Sequence, residues 1–350
     1  MNLFPAEGDS DHGVLGETLE EIQFADELGF DSAWLAEHHF SRYGILGNPL
    51  LMGAAIAQAT ERIRIGTAVV VLPFHDPIRL AEDAATLDVI SGGRLDLGIG
   101  RGYQPQEFAG FGVDPAESKT RYAETVEILR RAWTEDGFSH QGEHFSYQDL
   151  TVHPRPVQPG GPPLLHASVS PTSFTSRGLA GERIITSPNF TPLPVMRTNF
   201  DAYRQALREG GHDPSHFDIP FMQQAWVGHE EDGLRAAAEA ALNYYRTVGK
   251  VIPGSEDALD EERRYYEKVR ENIELLTLEQ TLTHGGNFGS VDQVVDTLGR
   301  LGSELGVTHY IGWFHIPSID RHRALRSMEV FASEVIPQLR DRELQLASSS

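Results

Sequence analysis

The sequence predicts an α/β fold in which short parallel strands alternate with helices. Apolar runs of strand length recur at 2–4, 32–36, 63–71, 95–99, 163–168, 183–187, 219–227 and 307–314. Most are continuous rather than alternating, as expected of strands covered on both faces. Helix-length segments separate them, and strands that alternate with helices pair in parallel. Eight such units fit a closed (β/α)8 barrel, although the pattern alone does not separate a barrel from an open sheet.

The elements follow in order. Strand one is only Asn2-Leu3-Phe4. Helices are predicted over 14–28, 48–60, 77–89, 117–134, 171–180, 194–209, 231–247, 290–304 and 320–339. In 117–134, Tyr122, Val126, Leu129 and Trp133 recur at helical spacing. Ser290-Val291-Asp292-Gln293 has the form of a capping box. Residues 249–287 are long, polar and charge-rich. They read either as a solvated helix or as a mobile lid over the barrel mouth, since long loops in compact domains are often active-site covers. Residues 1–350 otherwise read as one barrel domain with this insertion, without repeats or a clear linker.

Composition bounds the function. Forty per cent hydrophobic and 23% charged residues describe an ordinary globule of 350 residues. There is no cysteine, which excludes disulfides, thiolate metal sites and cysteine nucleophiles. The net charge of −22 repels phosphate backbones and anionic membrane surfaces, so neither nucleic acid nor membrane is an expected partner. The N-terminus has no signal-peptide pattern, and the expected location is the cytoplasm.

Three successive strands end in polar or Gly-rich residues. They are Glu37-His38-His39, then Pro73-Phe74-His75-Asp76-Pro77, then Gly100-Arg101-Gly102. In parallel α/β sheets reactive groups collect at such carboxyl ends, so one pocket is expected here. Adjacent strand residues face opposite sides, and no metal-ligand spacing is present, so no metal site is expected from His38 and His39. Arg101, between two glycines, suits a phosphate; the alternative is a salt bridge to Glu107. Ser168-Val169-Ser170-Pro171-Thr172 ends one strand and opens a helix. Its hydroxyls and helix N–H groups make either an anion site or a plain N-cap. Ala68 and Val69, inside strand three, read by themselves as barrel packing.

The region 29–103 resembles the bacterial luciferase-like family of flavin-dependent monooxygenases. The matching motifs are Leu35-Ala36-Glu37-His38-His39-Phe40, Gly47-Asn48-Pro49, Gly66-Thr67-Ala68, Ala81-Glu82-Asp83, and Ser91-Gly92-Gly93-Arg94 leading to Gly100-Arg101-Gly102. They fall in the family's order and near its spacing. The match looks closer to the catalytic luciferase chain than to its non-catalytic partner. The resemblance implies a TIM (β/α)8 barrel with insertions. It implies a catalytic role for His38, as base or proton donor in the oxygen chemistry, with His39 as its orienting partner. It places Ala68 and Val69 against the flavin ring, often through a cis peptide, and Gly100, Arg101 and Glu107 near the flavin. Ser168, Ser170 and Thr172 are placed at its phosphate, although Ala167 and Pro171 depart from the luciferase pattern there.

The implied activity is oxygenation of a small organic substrate with dioxygen and reduced FMN, supplied by a separate flavin reductase. Gly98-Ile99-Gly100-Arg101-Gly102 only partly imitates a dinucleotide motif, which favours a mononucleotide flavin. A deazaflavin-dependent oxidoreductase that transfers hydride is an alternative on the same fold. A non-catalytic flavin-binding chain is another, against which the presence of His38 and Arg101 speaks. Family members commonly pair through the regions matching 48–60 and 77–89. Ala54, Ala55, Ala57, Ala59, Ala81, Ala84 and Ala85 lie there, so a homodimer is expected.

Overall fold

The computed structural model describes residues 3, 9–187, 191–229, 231–252 and 260–347. Asn2 and Phe4 of the expected first strand, and the terminal Ser348-Ser349-Ser350, lie outside the described residues. The chain divides into two compact units, Met1–Ala167 with Pro253–Glu261, and Ser168–Ile252 with Glu262–Ser350.

The first unit contains strands β1 (Ser32–Leu35), β2 (Arg64–Thr67), β3 (Val70–Val71), β4 (Leu95–Gly100), β5 (Phe138–Gln141), β6 (Ser146–Leu150) and β7 (Leu164–Ala167). Its helices are α1 (Asp11–Leu28), α2 (Pro49–Ala59), α3 (Pro77–Ile90), α4 (Pro105–Phe111) and α5 (Ser118–Thr134). β1 pairs with β2, and β4 with β2, β3 and β7, all in parallel. Local chemistry starts the helices where expected. Asn48 accepts the Leu51 N–H ahead of Pro49, and Asp76 accepts those of Ile78 and Arg79 ahead of Pro77. Tyr122, Val126, Leu129 and Trp133 are all buried along α5.

Several expectations change. The strand expected over 63–71 is two strands, β2 and β3, separated at Ala68 and Val69, whose peptide bond is cis. The antiparallel hairpin β5–β6 was not expected. Its polar alternation gives no continuous apolar run, and it is held by the Glu124 carboxylate of α5. That carboxylate accepts the N–H groups of His144 and Phe145 and pairs with His140. Ala81, Ala84 and Ala85 are fully buried inside this unit, so their small size serves internal packing. Arg94, in the Ser-Gly-Gly-Arg motif, is also structural. Its guanidinium donates to the carbonyls of Ala57, Thr60 and Ile63 at 2.8, 3.2 and 3.0 Å. It thereby caps the carbonyl end of α2.

The second unit contains β8 (Arg183–Ile185), β9 (Pro220–Val227), β10 (Asn287–Gly289) and β11 (His309–Trp313). β9 pairs in parallel with β10 and β11, and a bridge joins Thr186 to Phe221. Its helices are α6 (Pro171–Leu179), α7 (Leu193–Glu209), α8 (Glu231–Val251), α9 (Asp260–Leu275), α10 (Leu278–His284), α11 (Val291–Arg300), α12 (Arg321–Val330) and α13 (Ile336–Ala347). Phe174, Phe200, Tyr203 and Phe221 are buried in its core. The Ser290 capping box forms as expected. Within 249–287, the described residues are mostly helical, and α9 buries Val269 and Ile273. Residues 253–259 of that segment lie outside the described residues. No described helix is long and apolar enough to cross a membrane.

One close approach sets the first sheet. The Thr67 hydroxyl donates to the Gly98 carbonyl at 2.7 Å, and a Cβ on Gly98 would lie 1.8 Å from the Thr67 carbonyl oxygen. Backbone meets backbone there, so a side chain has nowhere to go. Gly98→Ala is expected to destabilise the protein by at least about 3 kcal/mol, the upper end of ordinary overpacking costs. A shift in the denaturant midpoint measures it, and an unchanged midpoint would show that β2 and β4 separate freely.

Candidate active site

The segments after β1, β3 and β4 meet in one hydrogen-bonded cluster. Its base is Glu37, two residues past β1, with a fully buried side chain. Its Oε1 lies 2.8 Å from His39 Nε2 and 3.0 Å from His75 Nε2. Its Oε2 accepts the Val71 N–H at 3.0 Å. The Glu37 N–H donates to the Val69 carbonyl. A single carboxylate therefore ties the end of β1 to the end of β3 and to the loop that carries His75.

Glu107, in α4, makes the second junction. Its Oε1 accepts the backbone N–H of His39 at 2.9 Å and lies 3.2 Å from His38 Nδ1. Gln104, one residue before α4, is fully buried, and its Nε2 is 2.9 Å from the same His38 Nδ1. The Gln104 carbonyl oxygen is taken by Gln106 Nε2 at 2.9 Å. Tyr43 holds the His38 ring edge-on at 4.6 Å, and Tyr103 stands 6.4 Å away. The His38 backbone N–H is fixed by the Leu46 carbonyl.

Aromatic rings wall this cluster. Phe111 meets the His39 ring edge-on at 4.6 Å and stacks on Phe74 at 4.8 Å. Phe108 packs on Phe74, and Phe40 on Phe111. Phe40 has a φ of +58°, and its ring packs where a Cβ on Gly110 would be. Such a wall keeps water from the Glu37 bonds and strengthens them.

The two ends of the Glu37–His75 pair shift in opposite directions. Burial raises the Glu37 pKa, but hydrogen bonds from His39, His75 and the Val71 N–H outweigh it and hold the carboxyl below its ordinary 4.5. Burial lowers that of His75, and its bond to Glu37 with the Glu37 and Asp83 charges outweighs it, leaving the imidazole above its ordinary 6.5.

The remaining expected residues are placed as follows. Val69 and Gly100 are neighbours across β3 and β4, where a Cβ on Gly100 would lie 2.6 Å from Val69 Cγ2. Arg101 follows Gly100 directly and is half-buried. Ser168, Ser170 and Thr172 belong to the second unit. Ser168 is fully buried; its N–H donates to Ile185 and its carbonyl accepts from Thr186. The Ser170 hydroxyl caps α6 by accepting the Ser173 N–H, and it lies 3.2 Å from the Thr172 hydroxyl. The plain N-cap reading thus describes Ser170, with the Thr172 hydroxyl beside it at the helix start. A guanidinium, hydroxyls and a helix N-terminus are the donor types that suit a flavin mononucleotide's single phosphate. His38 and His39 lie past the end of β1, not in it. Strand alternation therefore does not orient them; Glu107 and Glu37 do. Among the described residues no group of three or more His, Asp or Glu is arranged to hold a metal ion.

Comparison with known proteins agrees with this architecture. Residues 2–309 match the family model for luciferase-like monooxygenases. The oxygenase component of a flavin-dependent trigonelline monooxygenase from Acinetobacter baylyi is 28% identical, covering 92% of this chain and 89% of its own. A crystal structure of a monooxygenase from Streptomyces bottropensis superposes with a TM-score of 0.81 at 27% identity, covering 97% and 98% of the two chains. The oxygenating constituent of the Pseudomonas putida 3,6-diketocamphane monooxygenase, solved with FMN, shares the fold at 20% identity and a TM-score of 0.80, covering 96% of each chain. The chain belongs to the luciferase-like monooxygenase family, and its fold class is the α/β TIM (β/α)8 barrel. It is a flavin-dependent monooxygenase.

The pair of shifts generates a pH prediction. His75, raised in the folded state, contributes stability that is complete below pH 6.5 and lost as pH rises through its folded pKa. Glu37, lowered, contributes stability present above pH 4.5 and lost as pH falls through its folded pKa. Below pH 6.5 and above the folded pKa of Glu37, His75→Gln should therefore cost about 1.5–3 kcal/mol, the worth of a charge-assisted hydrogen bond. The cost should shrink as pH rises above 6.5. Urea unfolding of both proteins across that range measures it, and a cost independent of pH would remove the ion pair.

Proposed function

We propose that this protein oxygenates a small organic substrate with dioxygen and reduced FMN, and that His38 acts at the reacting atoms. Bound reduced FMN supplies the electrons that reduce dioxygen and the means to pass one of its oxygen atoms to the substrate. The protein's residues bind the cofactor, exclude water and manage protons. The observation that carries the reading is the setting of His38. Its Nδ1 is committed to Gln104 and Glu107, while its Nε2 has no partner among the described residues and is not buried. One edge of the ring is anchored and the other is available to a reactant. Arg101, on the glycine-flanked strand end, holds the phosphate end of the cofactor, with Glu107, Gly100, Ala68 and Val69 lining the ring's side. Ser168, Ser170 and Thr172 are the phosphate donors proposed for the second unit. The phenylalanine wall and His39 keep the anchor of His38 rigid and dry.

Supply of reduced FMN by a separate reductase and a homodimer belong to the same reading. Leu51, Val89 and Ile90 of α2 and α3 are exposed apolar residues that suit a partner copy.

Two substitutions test the core of the proposal. Arg101→Ala should weaken binding of reduced FMN by about 1.5–3 kcal/mol, as loss of a charge-assisted contact does; unchanged affinity removes Arg101 from the site. Preference for a reduced deazaflavin over reduced FMN in the same titration would point to the hydride-transfer alternative. His38→Ala should leave the melting temperature nearly unchanged and lower turnover about a hundredfold or more, the scale of a general acid–base group. Normal turnover in a destabilised variant would make His38 a structural residue.

A further inference from the structure

His38 Nδ1 has two polar neighbours that ask opposite things of it. Glu107 Oε1, at 3.2 Å, can only accept a hydrogen bond. Gln104 Nε2, at 2.9 Å, can only donate one. The two are not equally committed. Glu107 Oε1 already accepts the His39 N–H at 2.9 Å. The Gln104 side-chain oxygen accepts from Gln106 Nε2 at 2.9 Å, which pairs the two amides and turns the Gln104 NH2 toward His38. The opposite arrangement requires both amides to turn over together. Gln104 is fully buried and opens α4, where its carbonyl accepts the Glu107 and Phe108 N–H groups. It cannot move away without disturbing the start of that helix.

From this geometry we infer that Gln104 is a positioning residue that sets the tautomer of His38. The amide N–H occupies Nδ1 of the neutral ring, so the ring's own proton sits on Nε2. His38 then meets its reacting partner as a hydrogen-bond donor and not as a base, because Nε2 has no lone pair to offer. Glu107 becomes the partner of Nδ1 only when that atom is protonated. The chargeable or polar groups around the ring are Glu107, Gln104, Tyr43 and Tyr103, with the Tyr103 hydroxyl donating to that of Tyr43. No other side chain competes for Nδ1 among the described residues. This assignment rests on the reading of His38 as the residue at the reacting atoms, but the tautomer itself does not.

Nitrogen-15 NMR of imidazole-labelled, flavin-free protein at a pH where His38 is neutral reads the proton directly. The expected wild-type signature is a protonated Nε2 and an unprotonated Nδ1 for His38, assigned by loss of the signals in His38→Gln. Gln104→Glu replaces the donor with an acceptor and should move the proton to Nδ1. Gln104→Leu removes the donor, leaves only Glu107, and should move it the same way. With reduced FMN, dioxygen and an aliphatic aldehyde as the oxygenation probe, both variants should lower kcat at least tenfold and leave the aldehyde KM within about twofold. A wild-type proton on Nδ1 overturns the inference, and this needs no variant to fold. So does an unmoved proton in both variants. A proton that moves with no change in kcat upholds the Gln104–His38 pairing and refutes the action of His38 at the reacting atoms.

Discussion

A single buried carboxylate, that of Glu37, is the interaction on which the first unit's site depends. A carboxylate in an apolar interior is costly unless every lone pair is engaged. Here two imidazoles and a backbone N–H engage it, and each comes from a segment the site needs. His39 is thereby fixed beside His38. Val71 is fixed at the end of the short strand that follows the Ala68–Val69 peptide. His75 anchors the turn that leads into α3. Removing the carboxylate would release all three together, so the cost of burying it is offset by the definition it gives to three strand ends.

Glu107 repeats the device one layer out. It holds the His39 backbone and faces His38, and it is presented by a short helix that begins only because Gln104 and Pro105 start it. The phenylalanines at 74, 108 and 111 pack together beside the His39 ring. Their rings lower the local dielectric, which strengthens every bond to Glu37 and Glu107 and penalises any bond left unmade. The chain's charge of −22 acts the other way at long range, repelling an anionic cofactor. Any local donors to an anionic cofactor must overcome that field.

Much of this was legible in the sequence. Continuous apolar runs showed the parallel strands, and the Ser170 cap and the Ser290 capping box form as expected, whereas the caps by Asn48 and Asp76 were not read from the sequence. What escaped notice had weaker local signals. The hairpin β5–β6 offers no continuous apolar run, and Glu124 of α5 binds the loop that joins its strands. The strand β10 is three residues long. Gln104 looks like any polar residue before a proline; its importance arises only where the end of β4 returns beside the end of β1. Ser91-Gly92-Gly93-Arg94 was legible as a motif but not as to purpose. Its arginine closes the carbonyl end of α2, so part of what makes the family recognisable concerns folding and not chemistry.

The adjacent histidines show why residue type and position alone do not assign roles. By residue type alone His38 and His39 are equivalent, only the family resemblance tells them apart in sequence, and neither lies within β1. Their division of labour comes from which nitrogen each partner takes. Glu37 takes Nε2 of His39, and the Phe111 edge packs against that ring. Gln104 and Glu107 approach Nδ1 of His38, the inner nitrogen, and leave the outer one accessible. The structural difference between the two rings is which nitrogen each partner takes, and that difference became legible only once the fold had brought Glu37, Gln104 and Glu107 beside them.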